Sequence, residues 1–157
     1  MLVPALAAQP PDKLKSALAR DSRTTVFVGP LVRDGFVDVD RGVLDSIKDI
    51  KNELDGKKRV LVVADKVQAQ VTVDVLSRGA TSSGGGGAVA MPIGTMTFLI
   101  PIGTIGIATV LHAGSYEKPI VFQNCQGWRN CARLVAKDIE VWIAANGTSL
   151  DQGQPAP

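Results

Sequence analysis

Between Val67 and Leu76 an apolar residue returns at every second position. Val67, Ala69, Val71, Val73 and Val75 alternate with Gln68, Gln70, Thr72, Asp74 and Leu76. Successive side chains of a strand point to opposite faces, so this spacing lines one side with apolar groups. A helix would scatter the same residues round its circumference. The segment therefore predicts a strand in a sheet with one buried face and one more polar face. A chain of 157 residues is long enough to close one domain round such a sheet.

The flanking segments supply the remaining elements. Thr24 to Leu31 is rich in β-branched and aromatic residues and meets a Gly29-Pro30 break, which reads as a strand. Val43, Ile47, Ile50 and Leu54 recur with helical spacing over 41–54, after Asp40 as N-cap and before Gly56. Arg59 to Ala64 is a continuous apolar run of the kind found in strands buried on both faces. Ile105 to His112 and Ile120 to Gln123 read as strands, with a turn at Ser115 to Pro119. A closing helix over 128–145 carries Trp128, Cys131 or Ala132, Val135, Ile139 and Trp142 on one face, with a stop at Asn146-Gly147. The expected fold is α+β: one mainly antiparallel sheet of about five strands packed by two helices. Its order is β-α-β-β, a Gly-rich insertion, then β-β-α. Residues 23–147 form the domain, with the insertion at 79–104. Residues 1–22, with a short helix at Asp12 to Arg20, and residues 148–157 read as tails.

The insertion is unusual in its chemistry. From Gly79 to Tyr116 there is no Asp, Glu, Lys or Arg, and four consecutive glycines, Gly84 to Gly87, lie near its start. Pro92-Ile-Gly-Thr95 recurs as Pro101-Ile-Gly-Thr104. The apolar stretch from Ala88 to Leu111 matches the length of a bilayer span. Its prolines and glycines argue against a helix, so two short strands joined by a turn are expected. Met91, Ile93, Met96, Phe98, Leu99 and Ile100 are the candidate contact residues. Two uses stay open: cover for the domain's own core or a subunit interface, or contact with a membrane surface. In the membrane case, copies could pool their hairpins into a closed barrel, which pairs every backbone group.

Little of the sequence points to catalysis. The net charge is +2, Lys57-Lys58-Arg59 is the longest basic run, and aromatics make up 4%. That is poor material for nucleic-acid binding, which is not expected. The glycine run lacks the Gly-Lys-Ser/Thr of a phosphate loop, no dinucleotide fingerprint follows a strand, and no cofactor is expected. His112 is the only histidine. With Ser115 and Asp74 it could complete a hydrolytic triad, but no Gly-x-Ser-x-Gly elbow is present. A partly buried strand histidine is the ordinary alternative. Asp34, Asp38 and Asp40 lack the pattern of a calcium loop. Cys125 and Cys131 cannot build a four-ligand zinc site with one histidine. They are read either as small buried thiols or as a local disulfide, and the disulfide would place the chain in an oxidising compartment. Ala5-Leu6-Ala7 has the form found before a signal-peptidase cut, without the basic and most of the apolar region that would precede it. An ordinary Ala/Pro-rich terminus is the other reading.

Four segments carry a resemblance. They are Ala-Asp-x-x-x-Ala-x-Val-x-Val-x-Val-Leu-x-Arg over 64–78, Val-Leu-x-Ala-Gly-x-Tyr over 110–116, Gly-Trp-Arg-Asn-Cys-Ala over 127–132, and Ile-Glu-Val-Trp-Ile-Ala-Ala-Asn over 139–146. Together they are similar to small bacterial envelope domains related to the curli-secretion lipoprotein and the amino-terminal domain of the TolB protein. The resemblance spans about 24–146 and rests on packing positions. It implies an exported, non-enzymatic domain that works through protein partners, and it supplies no catalytic residue. No lipobox cysteine is present. The expected function is thus a periplasmic or secreted interaction domain, in which an exposed sheet edge could accept a partner strand. The alternatives are a membrane-associating protein using the apolar 84–111 segment, and a small hydrolase.

Overall fold

The computed structural model describes residues 22–32, 40–79, 88–93, 96–101 and 105–151. The expected helix at Asp12 to Arg20, the irregular stretch at 33–39 and the Gly84 to Gly87 run lie outside them. Strands β1 (Thr24–Pro30), β2 (Val60–Val62), β3 (Val71–Gly79), β6 (Gly106–Ala113) and β7 (Tyr116–Gln123) form one sheet in the order β2-β1-β3-β6-β7. Strands β4 (Ala88–Ile93) and β5 (Met96–Pro101) pair separately with each other. The helices are α1 (Arg41–Asp55) and α2 (Trp128–Asp151).

The five strands and two helices make the α+β architecture read from the sequence. The sheet is mixed: β1 pairs parallel with β2 and with β3, while β3–β6 and β6–β7 are antiparallel. A parallel neighbour requires a crossover, and α1 supplies it between β1 and β2. β6 and β7 follow one another through a two-residue turn at Gly114-Ser115, which favours antiparallel pairing.

Burial explains the register. Val26, Val28, Val71, Val73 and Val75 lie on one face of the sheet and are buried, as are Ile107, Leu111 and Ala113. Val43, Ile47, Ile50 and Leu54 from α1 meet them, together with Cys131, Ala132, Val135, Ile139 and Trp142 from α2. Each fully buried large aliphatic side chain contributes about 1.5–3 kcal/mol relative to exposure. Asp40 caps α1 by accepting from the Gly42 N–H at 2.9 Å. Tyr116 stacks on Trp142, with centroids 5.4 Å apart, and fastens the β7 edge to α2.

Four expectations need correction. The turn read at Ser115 to Pro119 is confined to Gly114-Ser115, because Tyr116 to Pro119 pair with β6 and the last strand starts at Tyr116, not Ile120. The alternating strand begins at Val71, not Val67, because Asp65 caps a turn of 3-10 helix over Lys66–Gln68. Its carboxylate accepts from the Val67 N–H at 2.9 Å. Val67 is left 80% exposed. The apolar run at 59–64 is not a central strand. It yields only the three residues of β2 at the sheet edge, with Leu61 and Val62 half-buried. Finally, α2 passes through Asn146-Gly147 and continues to Asp151. The Asn146 side-chain amide donates back to the Trp142 carbonyl at 2.8 Å, one turn earlier, so it joins the helix instead of ending it.

Candidate functional site

The period-two pattern that buries Val73 and Val75 turns Asp74 to the opposite face of the sheet. His112 lies between Leu111 and Ala113 and faces the same way. In the β3–β6 register Thr72 is opposite His112 and Asp74 opposite Val110, so Asp74 and His112 are diagonal neighbours. Asp74 Oδ2 lies 3.3 Å from His112 Nε2, and Asp74 Oδ1 lies 3.5 Å from Lys66 Nζ. Asp74 is only 5% exposed, and its Oδ1 accepts no hydrogen bond. A carboxylate this buried is costly unless a cation accompanies it, and here two basic groups stand against one acid.

The spacing anticipated that Asp74 and His112 could meet across strands. The structure brings these two together and leaves Ser115 apart, exposed in the turn between β6 and β7. Among the described residues no hydroxyl or thiol hydrogen-bonds to His112. The pair can orient or exchange a proton, but a nucleophile for acyl transfer is not joined to it. Glu117, the cross-strand partner of His112, is exposed. Lys66 was not singled out in the sequence. Asp65 as the cap of the turn is the signal that could have placed Lys66 beside the strand. Among the described residues no group of three or more His, Cys, Asp or Glu could hold a metal ion.

A second cluster joins the end of β3 to the start of α2. Cys125 and Cys131 form a disulfide, with Cα atoms 5.4 Å apart. Both residues are buried. The bridged turn contains Gly127 at φ 113°, a conformation that favours glycine, and Asn124 at φ 58° immediately precedes the turn. The Arg78 guanidinium lies over the Trp128 ring, 4.2 Å from its centroid, and donates to the Gly42 carbonyl at 3.4 Å.

The third feature is the β4–β5 ladder. Val89 pairs with Ile100, Met91 with Phe98, and Ile93 with Met96. Cross-strand partners share a face, and alternate residues of a strand do too. The register thus places Val89, Met91, Ile93, Met96, Phe98 and Ile100 at positions of one face. Ala88, Ala90, Pro92, Thr97, Leu99 and Pro101 occupy the other. Of the candidate contact residues, Leu99 falls on the second face and the other five on the first. The surroundings of their side chains lie outside what the structure describes. Gly79 pairs with Gly106 at the end of the β3–β6 ladder, so the insertion leaves the sheet from that end. Among the described residues no helix is long and apolar enough to cross a membrane.

No family model matches the chain, and no curated protein matches it. Among solved structures it is similar to protein XCC0632 from Xanthomonas campestris, of the family DUF330. Sequence identity is 13%, the alignment covers 83% of this chain and 89% of that one, and the TM-score is 0.43.

Proposed function

We propose that this chain is an exported, non-catalytic interaction domain of the periplasm or cell envelope. The observation that carries the proposal is the Cys125–Cys131 disulfide. Such bonds persist in oxidising compartments and are rare where thiols are kept reduced. The His112–Asp74 pair fits a structural role, because the buried acid has Lys66 and His112 beside it and, among the described residues, no hydroxyl or thiol is bonded to the histidine. Neither edge of the main sheet is a good acceptor for a partner strand. β2 has three residues, and β7 carries Glu117, Lys118 and Pro119 in succession. Fractionation of the native host tests the compartment: the chain is expected with the periplasmic or envelope fraction, and a wholly cytosolic distribution contradicts it.

A second reading, contact with a membrane surface, is favoured by the β4–β5 register. Six large apolar residues fall on one face of a charge-free hairpin. Surfaces of this composition are costly to leave in water and mark contact sites. Oligomers could bring such hairpins together, which satisfies the backbone in lipid. Liposome flotation tests it: the full chain is expected to rise with vesicles, and recovery in the bottom fraction contradicts it.

A further inference from the structure

Both roots of the β4–β5 hairpin meet the bridged turn. On the outgoing side Arg78 precedes Gly79, and its guanidinium lies over Trp128, inside the Cys125–Cys131 loop. On the return side the Ile105 carbonyl accepts from the Cys125 N–H at 3.4 Å, and Cys131 Sγ lies 3.9 Å from the same oxygen. The two sides join at the Gly79–Gly106 pair, and Gly106 also pairs with Gln123, the last residue of β7. Gly106 is pressed against β7 there: a Cβ on it would lie 2.9 Å from the Phe122 carbonyl oxygen. The chain therefore enters and leaves the insertion beside the disulfide.

The bridge decides how firmly this cluster is held. The bond from the Cys125 N–H is long, so it contributes little unless Cys125 is fixed in place. Asn124, just before it, has φ 58°, a conformation that costs energy in a residue with a Cβ. The first turn of α2 is the fixed end, where the Cys131 N–H donates to the Gly127 carbonyl at 3.1 Å. The covalent bond carries that fixity from Cys131 to Cys125. The two residues also differ in access: Cys125 is 9% exposed and Cys131 0%. An attacking thiolate therefore meets the Cys125 sulfur, and Cys131 is the leaving group. A free thiol on Cys131 then has an acceptor close by, the Ile105 carbonyl.

We propose that the Cys125–Cys131 bond is a redox-sensitive clamp on the root of the β4–β5 hairpin. The reductant is a dithiol of the kind that disulfide oxidoreductases carry. Its first thiolate forms a mixed disulfide with Cys125 and expels Cys131 as a thiolate, which takes up a proton. Its second thiolate then displaces Cys125, which also takes up a proton, and the reductant ends as a disulfide. Two electrons and two protons pass to the protein. Cys125 no longer holds the Ile105 carbonyl, and the hairpin gains freedom about Gly79 and Gly106. The proposal rests on the disulfide that carries the export reading, but it is tested on purified protein, so its failure leaves the compartment open to fractionation of the host.

Amide NMR of the full oxidised chain, before and after dithiothreitol without denaturant, tests the proposal. Two free thiols are expected to appear while the fold persists. Amide exchange at Cys125 and Gly106 is expected to quicken about tenfold or more, as in a local opening. Order parameters over 88–93 and 96–101 are expected to fall, and those of Val71 to Val75 to stay as they were. The Cys125→Ala/Cys131→Ala variant is expected to match the reduced wild type with no reductant present. A bond that dithiothreitol breaks only in denaturant overturns the proposal. So does a hairpin with the same order parameters in both states, or exchange that quickens equally throughout the sheet.

Discussion

The guanidinium of Arg78 lies over the indole of Trp128, 4.2 Å from the ring centroid. Arg78 is near the end of β3 and Trp128 is the first residue of α2, so one contact fixes the sheet end, the bridged turn and the helix start together. Arg78 also donates to the Gly42 carbonyl and lies 3.8 Å from the Asp45 carboxylate. We predict that Arg78→Ala lowers unfolding free energy by about 1–2 kcal/mol in urea melts, from the lost ring contact and hydrogen bond. Arg78→Lys should recover less than half, because an ammonium lacks the flat face. Full recovery by lysine would assign the effect to charge alone.

Lys66 and His112 share Asp74, and this sharing predicts a non-additive response. Removing either partner leaves the other in place, so Lys66→Ala and His112→Ala should each cost less than about 1 kcal/mol. The double variant strands a buried carboxylate and should exceed the sum of the two by about 1 kcal/mol or more. Chemical denaturation of all four proteins completes the cycle. A strictly additive result would mean that Asp74 does not depend on this pair.

Much of the scaffold was legible because packing repeats with a fixed period. The α1 stripe of Val43, Ile47, Ile50 and Leu54 is buried as spaced, and Val71, Val73 and Val75 face the core together. What the sequence hid was decided by single local bonds or by topology. Asp65 diverts Val67 into a 3-10 turn despite its place in the alternation. Asn146 bonds back along the helix despite the Asn-Gly stop signal. β2 reads as a central strand by composition but lies at an edge, because strand order depends on crossovers that hydropathy does not encode. The Asp74–His112 contact was foreseeable from strand adjacency. Lys66 was not, since its approach depends on that same 3-10 turn.

The Gly79–Gly106 pairing predicts that the insertion can be removed without unfolding the sheet. Replacing 80–104 by Asn-Gly should close β3 onto β6 through a short loop and keep Ile105, which packs on the core and accepts from the Cys125 N–H. The melting temperature should stay within about 5 °C of wild type, since a change of 1 kcal/mol moves it by only a few degrees in a domain of this size. Flotation with liposomes should be lost. Unfolding of the variant would show that 80–104 covers the domain's own core, and unchanged flotation would remove the hairpin from membrane contact.

The disulfide should also matter to stability. Closing so short a loop restrains the unfolded chain by about 2 kcal/mol in the chain-entropy treatment. Cys125→Ala/Cys131→Ala should fold with a melting temperature lower by several degrees, measured by circular dichroism. No change on removal would mean that the bridged turn is held by its other contacts.

The most direct test of the exported-domain account is the thiol state of the chain taken from its native host. Cells are quenched in acid, free thiols are alkylated before any reductant is added, and the intact mass is measured. The account predicts no alkyl group on Cys125 or Cys131 until the protein is reduced, and two afterwards. Two alkylated thiols without reduction would contradict it.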